Sequence, residues 1–201
     1  MAFIVLFFLS SILPAQNLSV DKNELYIVDT TQSSISWNCG QHFGCILIDT
    51  GYVEVINNDP VGGKFFIDLN SLYVEDIEHE LLRLTLANVI KSHEFFDAGH
   101  YPNIVFLIEK LIEIDDNFYN VAGQLTIKNM TLPVNFNCEI NIEDDSISVY
   151  SEYFGIDRTE WGINYLSKKF DPEEKEQMHV PDIIEFLIHL KAKKIKKKKE
   201  K

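Results

Sequence analysis

The sequence has few cysteines, no Cys-X-X-Cys pair and no long apolar run after residue 13. The missing Cys-X-X-Cys pair argues against a thiol-redox motif or a zinc site. The lack of further apolar runs excludes a polytopic membrane protein, and the composition excludes a collagen or a coiled coil. No Gly-X-Ser-X-Gly, P-loop or Gly-X-Gly-X-X-Gly element is present, so no catalytic or nucleotide-binding motif is found.

The three cysteines are Cys39, Cys45 and Cys138. Cys39 and Cys45 flank a predicted turn, so a local bridge between them is open at this stage. Because the number is odd, at least one thiol is free or pairs between chains.

The charge is strongly acidic and unevenly distributed. The net charge is −13, yet residues 191–201 hold eight lysines and one glutamate. The first 190 residues therefore carry ten basic and thirty acidic side chains. Such a body repels phosphate backbones, which excludes nucleic acid as its partner.

The two ends of the chain are not predicted to belong to the fold. Residues 2–13 are apolar apart from two serines and are typical of a secretory signal, so we expect residues 1–15 to be removed after Ala15 and the protein to be periplasmic or secreted. The alternative is an N-terminal core strand or helix. Residues 193–201 are predicted to form a disordered basic tail, which is either solvated or in contact with an anionic membrane surface.

Alternation of apolar and polar residues dominates the rest of the chain. It predicts about eight strands, separated by turn signals such as Asn57-Asn58-Asp59-Pro60 and Glu143-Asp144-Asp145. Residues 76–92 instead carry Leu82 and Leu86 at helical spacing, which predicts one helix. Many short antiparallel strands with one apolar face each indicate an all-β sandwich or a closed barrel, and a barrel of eight strands is either filled by side chains or holds one small ligand.

Other candidate chemistry is sparse. Six histidines occur, of which His93 and His100 share one aromatic loop, but their spacing matches no metal-ligand motif, so no metal site is predicted. Asp157 and Arg158, followed by Trp161, suggest a partly buried ion pair that anchors a strand end or meets a ligand head group. No catalytic residue is predicted.

Several separate stretches, in order, resemble the YceI-like family of bacterial polyisoprenoid-binding proteins. The resemblance covers nearly the whole chain from Tyr26 to about Ala192 and includes the branch element Arg-Thr-X-Trp-Gly, of the Bacteroidetes type. Asn129 stands where the family usually has Gly, and we expect it to supply a positive φ in a hairpin turn. The stretches that carry the resemblance are GGKFFIDLNSL (62–72), IKSHEFFDAGHYPNIVF (90–106), GQLTIKNMTLPVNF (123–136) and FGIDRTEWGINY (154–165).

The resemblance implies an eight-stranded antiparallel lipocalin-like barrel with one helical insertion, over residues 24–192. It also implies a long apolar lumen, often a homodimer, and an isoprenoid lipid, such as a polyprenol or a quinone tail, as ligand in place of a cofactor.

The residues predicted to line the lumen are apolar or aromatic, because such side chains suit a methyl-branched chain without polar handles. Arg158 is the candidate for contact with the lipid head group. An ordinary packed core is the competing interpretation of the same pattern. The lumen candidates are Ile35, Trp37, Phe65, Ile67, Phe95, Ile104, Phe106, Val121, Leu125, Phe136, Trp161, Phe186 and Ile188.

The sequence thus supports three hypotheses of different kinds. The first is a protein that binds, sequesters or transports a long-chain isoprenoid lipid without catalysis. The second is an enzyme that acts on an isoprenoid or quinone and uses a histidine of the 93–100 loop. The third is a filled barrel that serves as an interaction module.

Overall fold

A computed structural model describes residues 22–195. The predicted signal segment 1–15 and most of the predicted basic tail lie outside these residues. No helix in the described part of the chain has the length and apolar character needed to cross a membrane.

Antiparallel strands make up most of the fold, with one α-helix inserted between the fourth and fifth strands. Two short 3₁₀ helices, Arg158–Trp161 and Glu176–Met178, lie between the last two strands. The elements in order are β1 (Asn23–Val28), β2 (Ser34–Cys39), β3 (His42–Ile56), β4 (Asp59–Val74), α1 (Glu80–Lys91), β5 (Asn103–Asp115), β6 (Phe118–Ile127), β7 (Met130–Glu143), β8 (Ser146–Ser151), β9 (Phe154–Asp157) and β10 (Ile183–Lys194).

The ten strands close into a ring with eight positions. From β2 the sheet runs through β3 to β8, and β10 pairs with both β8 and β2. Strand β1 pairs with the parts of β10 and β3 that β2 does not reach, and β9 pairs with the part of β10 that β8 does not reach. β1 and β2 therefore share one position of the ring, and β8 and β9 share another. The predicted eight-stranded antiparallel barrel is confirmed.

Alternation along each strand separates the inside of the ring from the outside. In β6 every second residue from Tyr119 to Ile127 is buried, including the glycine at 123. A side chain at Gly123 would place its Cβ 2.3 Å from the carbonyl oxygen of Leu107 and 2.8 Å from the Phe106 ring. Glycine is therefore required here because strand β5 and the Phe106 ring occupy the space of a side chain.

Tight turns connect the long strands at the predicted places. Asn57 and Asn58, with φ of 54° and 73°, turn β3 into β4, and Asp144, with φ of 49°, turns β7 into β8. The expectation for Asn129 is wrong in detail: the positive φ of the β6–β7 turn is 54° at Lys128. A left-handed backbone at a residue with a Cβ is unfavourable, so the ladder between β6 and β7 imposes this conformation.

Helix α1 begins at Glu80, four residues after the predicted start, and residues 76–79 precede it. It buries Ala87 and Ile90, whereas Leu81, Leu82 and Leu84 remain exposed. In the loop that follows, Phe95 and Phe96 are buried and pack edge to face with their ring centroids 5.0 Å apart. The helix thus lies against the barrel with its C-terminal half.

The last strand extends past the predicted end of the barrel. Lys193 and Lys194 were expected in the disordered tail, but both belong to β10. Lys193 pairs with Asp29 at 2.6 Å, and Lys194 pairs with Glu24 at 2.5 Å. Glu24 lies in β1 and Asp29 directly follows it. Because these two carboxylates neutralise Lys193 and Lys194, β10 can continue into the basic run.

Candidate functional site: an apolar cavity inside the barrel

The ring encloses a cavity of about 960 Å³. Its wall is built from the inward faces of the strands, together with α1 and residues 176–181. Phe136, Phe186 and Ile188 point inward, yet each keeps part of its surface accessible. A side chain inside a closed ring stays accessible only if it borders an empty space. The interior is therefore not the packed core of the competing interpretation.

The opening of the cavity lies at one end of the ring. Wall residues that are also exposed to solvent lie in the β2–β3 turn, in α1 and in the second 3₁₀ helix, with Pro181 just after that helix. Leu82 and Met178 are 58% and 50% exposed although both line the cavity. These three segments form what we call the mouth, and the polar residues Gln41, His42 and Gln177 lie there.

Four phenylalanines form a ladder across the wall. The ring centroids of Phe106 and Phe136 are 5.7 Å apart, Phe136 stacks on Phe154 at 4.5 Å, and Phe154 lies 5.8 Å from Phe186. The ladder joins β5, β7, β9 and β10. Aromatic rings in contact present a large rigid apolar surface at low entropic cost, which suits an extended hydrocarbon ligand.

The structure places twelve of the thirteen predicted lumen residues on the cavity wall. For the eleven of these that lie in strands, the alternation pattern located the inward faces correctly, and Phe95 reaches the wall from the loop after α1. The twelve are Ile35, Trp37, Phe65, Ile67, Phe95, Ile104, Phe106, Val121, Leu125, Phe136, Phe186 and Ile188.

Trp161 does not line the cavity. It belongs to the first 3₁₀ helix, is 2% exposed, and its indole N–H donates to the carbonyl of Leu125 at 3.1 Å. The two-residue period of a strand does not apply in a 3₁₀ helix, so the direction of this side chain could not be predicted from alternation. Its function in the fold is to attach the segment after β9 to β6.

Arg158 is not on the cavity wall either. Its guanidinium is fully buried and donates to the carbonyls of Ile163 at 2.5 Å, Pro181 at 2.9 Å and Val180 at 2.9 Å. It lies 3.5 Å from Asp182 and over the Phe95 ring at 5.3 Å. Burial lowers the pKa of Arg158. With its donors directed at these backbone acceptors, Arg158 holds the chain before β10 in place.

The ion pair expected at Asp157 and Arg158 has different partners. Asp157 accepts from the backbone N–H and the hydroxyl of Thr159 and pairs with Lys169 at 2.6 Å. Although burial opposes it, the bonds from Lys169 and Thr159 lower the pKa of Asp157. Asp157 therefore caps the first 3₁₀ helix, while Arg158 turns to Asp182.

The cysteines are all free thiols. Cys39 lies on the cavity wall, whereas Cys45 alternates with the inward residues Gly44 and Ile46. Cys39 and Cys45 therefore face opposite sides of the sheet, which prevents a bridge between them. Burial raises the pKa of Cys39 to about 11 and that of Cys138, also on the wall, to about 12.

The histidines that line the cavity are His42 and His179, not those of the 93–100 loop. Nδ1 of His42 lies 2.7 Å from the carboxylate of Asp76. His100, which is not on the cavity wall, pairs with Asp97 at a distance of 2.9 Å. Within residues 22–195, no group of three or more metal-binding side chains converges.

Sequence reasoning missed some wall residues. Phe154 alternates with Ile156 in a strand of only four residues, which is too short for its period to be recognised. Leu86 and Val89 of α1 and residues 176–181 also contribute to the wall, and their place could not be predicted because it depends on where a helix and a loop pack.

Comparisons with known proteins agree with this architecture. The model of the YceI-like domain family matches residues 26–192. The crystal structure of BcnA from Burkholderia cenocepacia superposes with a TM-score of 0.61 at 19% identity, over 82% of this chain and 99% of that one. A search of curated proteins finds no match.

Two further solved structures share the fold. A polyisoprenoid-binding domain from Saccharophagus degradans, implicated in plant cell wall breakdown, has a TM-score of 0.59 at 11% identity, over 84% of this chain and 97% of that one. The YCEI protein of Campylobacter jejuni has a TM-score of 0.51 at 17% identity, over 98% of this chain and all of that one. At these identities the similarity shows the fold alone.

Proposed function

The chain belongs to the YceI-like domain family, and from that premise we propose that it binds a long-chain isoprenoid lipid inside its barrel and sequesters or transports it. The observation that carries the proposal is the cavity of about 960 Å³ with a wall of aliphatic and aromatic side chains. The structural relative from Saccharophagus degradans, a polyisoprenoid-binding domain by its description, supports the same ligand class.

The size of the cavity limits the length of the bound chain. If each carbon takes about 30 Å³, the share of a water molecule in the liquid, a cavity of about 960 Å³ holds about thirty carbons, or about six isoprene units. At about 0.3 kcal/mol per heavy atom, thirty carbons contribute about 9 kcal/mol, which corresponds to a submicromolar dissociation constant. A polyprenol or a quinone tail of this length fits the proposal, and a longer chain would extend through the mouth.

We infer binding rather than catalysis. His93 and His100, the residues on which a catalytic hypothesis rested, do not lie on the cavity wall, and most of the side chains on that wall are aliphatic or aromatic. Replacing His93 with Ala is therefore expected to leave lipid binding unchanged and to remove no activity.

The test is direct. Protein purified without added lipid is extracted with organic solvent, and the extract is analysed by mass spectrometry beside native mass spectra of the intact protein. We expect an isoprenoid in about equimolar amount, with a mass near six isoprene units. A protein that carries no isoprenoid, and whose melting temperature does not rise with any polyprenol or quinone added after delipidation, contradicts the proposal.

Export and surface association form a further part of the proposal. The apolar run 2–13 and the lysines of 196–201 support a periplasmic or secreted protein whose basic end contacts an anionic membrane. N-terminal sequencing after expression of the full chain should find the protein starting at Gln16, and liposome co-sedimentation with and without residues 196–201 tests the contact. Light scattering of the same sample tests whether it is a homodimer.

A further inference from the structure

The solvent-facing side of helix α1 is apolar. Six of its twelve residues are exposed, and three of those six are Leu81, Leu82 and Leu84. Leu81 is 67% exposed and Leu84 is 50% exposed. A surface helix normally carries charged or polar residues on the face that points away from the core. Three exposed leucines on one short helix therefore indicate that another apolar surface covers them.

The exposed leucines form one continuous strip along α1. At 3.6 residues per turn, the members of the strip follow one another around the helix in the order Leu84, Leu81, Thr85 and Leu82. All four are exposed, and none of these described residues is charged. Arg83 lies outside the strip, since its guanidinium is placed over the ring of Tyr73 at 5.0 Å. The strip thus offers apolar surface without a charge that would oppose its burial.

The strip continues into the cavity. Leu82 and Thr85 belong to the strip and also line the cavity, and the wall goes on from them to Leu86 and Val89 on the following turn of the same helix. In the second 3₁₀ helix of the mouth, Met178 is likewise both exposed and part of the wall. An apolar surface therefore leads from the outside of α1 through the mouth into the barrel.

The charges beside the mouth oppose an anionic surface. Residues 75–83 hold four carboxylates and one arginine, and residues 168–176 hold four carboxylates and three lysines. The segments that lead into α1 and into the second 3₁₀ helix are thus both net negative, which repels anionic lipids. A surface without net charge meets no such repulsion.

The apolar contact is too small for a stable protein interface. Such an interface uses about 20–30 residues from each partner. The three segments of the mouth, which all lie in the described part of the chain, contribute four exposed large apolar side chains, namely Leu81, Leu82, Leu84 and Met178. A few apolar side chains are enough for shallow insertion at the boundary between head groups and acyl chains of a bilayer.

We propose that the strip on α1 docks the mouth onto an electrically neutral lipid bilayer, so that an isoprenoid passes between bilayer and cavity without crossing water. The choice of a bilayer rests on the proposed lipid-binding function, because a chain of about thirty carbons partitions into a bilayer and not into water. β10 begins beside the mouth at Ile183 and ends at Lys194, about 36 Å further along the strand. The docking is therefore separate from a contact through the basic end.

The experiment measures binding of the full chain to phosphatidylcholine vesicles, which have no net charge and do not attract the basic end. Leu81→Gln with Leu84→Gln removes two exposed leucines that do not line the cavity, and glutamine preserves the helix. We expect this double variant to bind the vesicles at least about tenfold more weakly and to take up polyprenol from them correspondingly more slowly. The amount of polyprenol bound at equilibrium should stay that of the wild type.

A matched control removes exposed leucines elsewhere. Leu47 and Leu107 are exposed on the outer faces of β3 and β5 and do not line the cavity. Leu47→Gln with Leu107→Gln should therefore leave both vesicle binding and the rate of uptake unchanged. Thermal unfolding of each double variant verifies that it folds.

A tryptophan probe locates the contact without removing the strip. The natural Trp37 and Trp161 are buried, so Leu84→Trp adds an exposed fluorophore to a chain that has none in its described part. Relative to the wild type, the emission of Leu84→Trp should shift to shorter wavelength with vesicles and should be quenched by brominated phosphatidylcholine. Leu107→Trp on the outer face of β5 should show neither change.

The outcomes separate the docking surface from the proposed function. A wild-type chain that does not bind the vesicles, equal binding by the two double variants, or equal quenching of the two probes overturns the docking surface while lipid binding stands. If Leu81→Gln with Leu84→Gln instead dissociates a homodimer and leaves vesicle binding unchanged, a second copy covers the strip and the bilayer assignment is wrong. A wild-type chain that binds the vesicles through the strip but takes up no isoprenoid contradicts the proposed function and leaves the docking surface in place.

Discussion

Val134→Trp should shorten the isoprenoid that the barrel accepts. Val134 lies on the cavity wall in β7, opposite Gly123 and between Leu132 and Phe136. The substitution adds about seven heavy atoms, which at about 30 Å³ each occupy about 200 Å³ of the cavity of about 960 Å³. The space lost equals about seven carbons, between one and two isoprene units.

The expected change in affinity follows from the same number. Seven carbons at about 0.3 kcal/mol each are worth about 2 kcal/mol, so a chain that fills the wild-type cavity should bind about thirtyfold more weakly. Shorter chains should bind about as well as before. Native mass spectrometry with a ladder of polyprenols, titrated into delipidated protein, reports the optimum length for each variant.

A matched control separates filling from general damage. Val105 lies in β5 on the outer face and does not line the cavity, so Val105→Trp should leave the optimum length unchanged. If the interior were packed, Val134→Trp would instead cost about 1–3 kcal/mol of unfolding free energy through overpacking. An unchanged length optimum in Val134→Trp, together with such a loss of stability in urea, would refute the cavity argument.

Three further predictions concern groups around the barrel. Arg158→Gln should lower the unfolding free energy by about 3–5 kcal/mol, because it leaves buried carbonyl acceptors and Asp182 without their partner; the urea midpoint measures this, and lipid loss at unchanged stability would instead support a head-group role. The hydrogen bonds from Lys193 and Thr31 lower the pKa of Asp29 below its ordinary 3.8. The contribution of Asp29 to the free energy of unfolding is therefore present above pH 3.8 and is lost as the pH falls below that value. Asp29→Asn should weaken this acid dependence, measured by thermal unfolding from pH 2 to 7. The thiol of Cys138, whose pKa burial raises to about 12, should resist maleimide at pH 8 until urea unfolds the barrel, and rapid labelling of the native protein would contradict its placement.

The strand faces were predictable from sequence because they depend on a local rule. In a ladder of antiparallel strands the side of each residue is set by its parity, so Ile35, Phe65 and Phe106 could be placed inside without knowledge of their neighbours. The same rule puts Cys39 and Cys45 on opposite faces, although sequence spacing alone left their bridge open. The eight ring positions followed from counting alternating segments.

The parts that escaped prediction depend on distant contacts. Arg158 donates to the backbone carbonyls of Ile163, Val180 and Pro181. Every residue has a backbone carbonyl, so the sequence does not indicate which ones serve as acceptors. Whether an inward phenylalanine borders core or cavity depends equally on the closure of the whole ring. Phe136 and Phe65 have the same pattern in sequence, yet Phe136 keeps more accessible surface on the inside.

The size of the cavity also implies that it does not exist as an empty space. A void left in a protein core costs about 24 cal/mol per Å³, so a dry void of about 960 Å³ would cost about 23 kcal/mol. This exceeds the net stability of about 5–15 kcal/mol that domains have. The interior must hold either lipid or water that enters through the mouth, and an apolar wall gives such water few hydrogen bonds. Displacement of poorly ordered water by an apolar chain is favourable. Bound lipid therefore stabilises the folded barrel by mass action, and a free lipid concentration of a hundred times the dissociation constant raises the free energy of unfolding by about 2.7 kcal/mol.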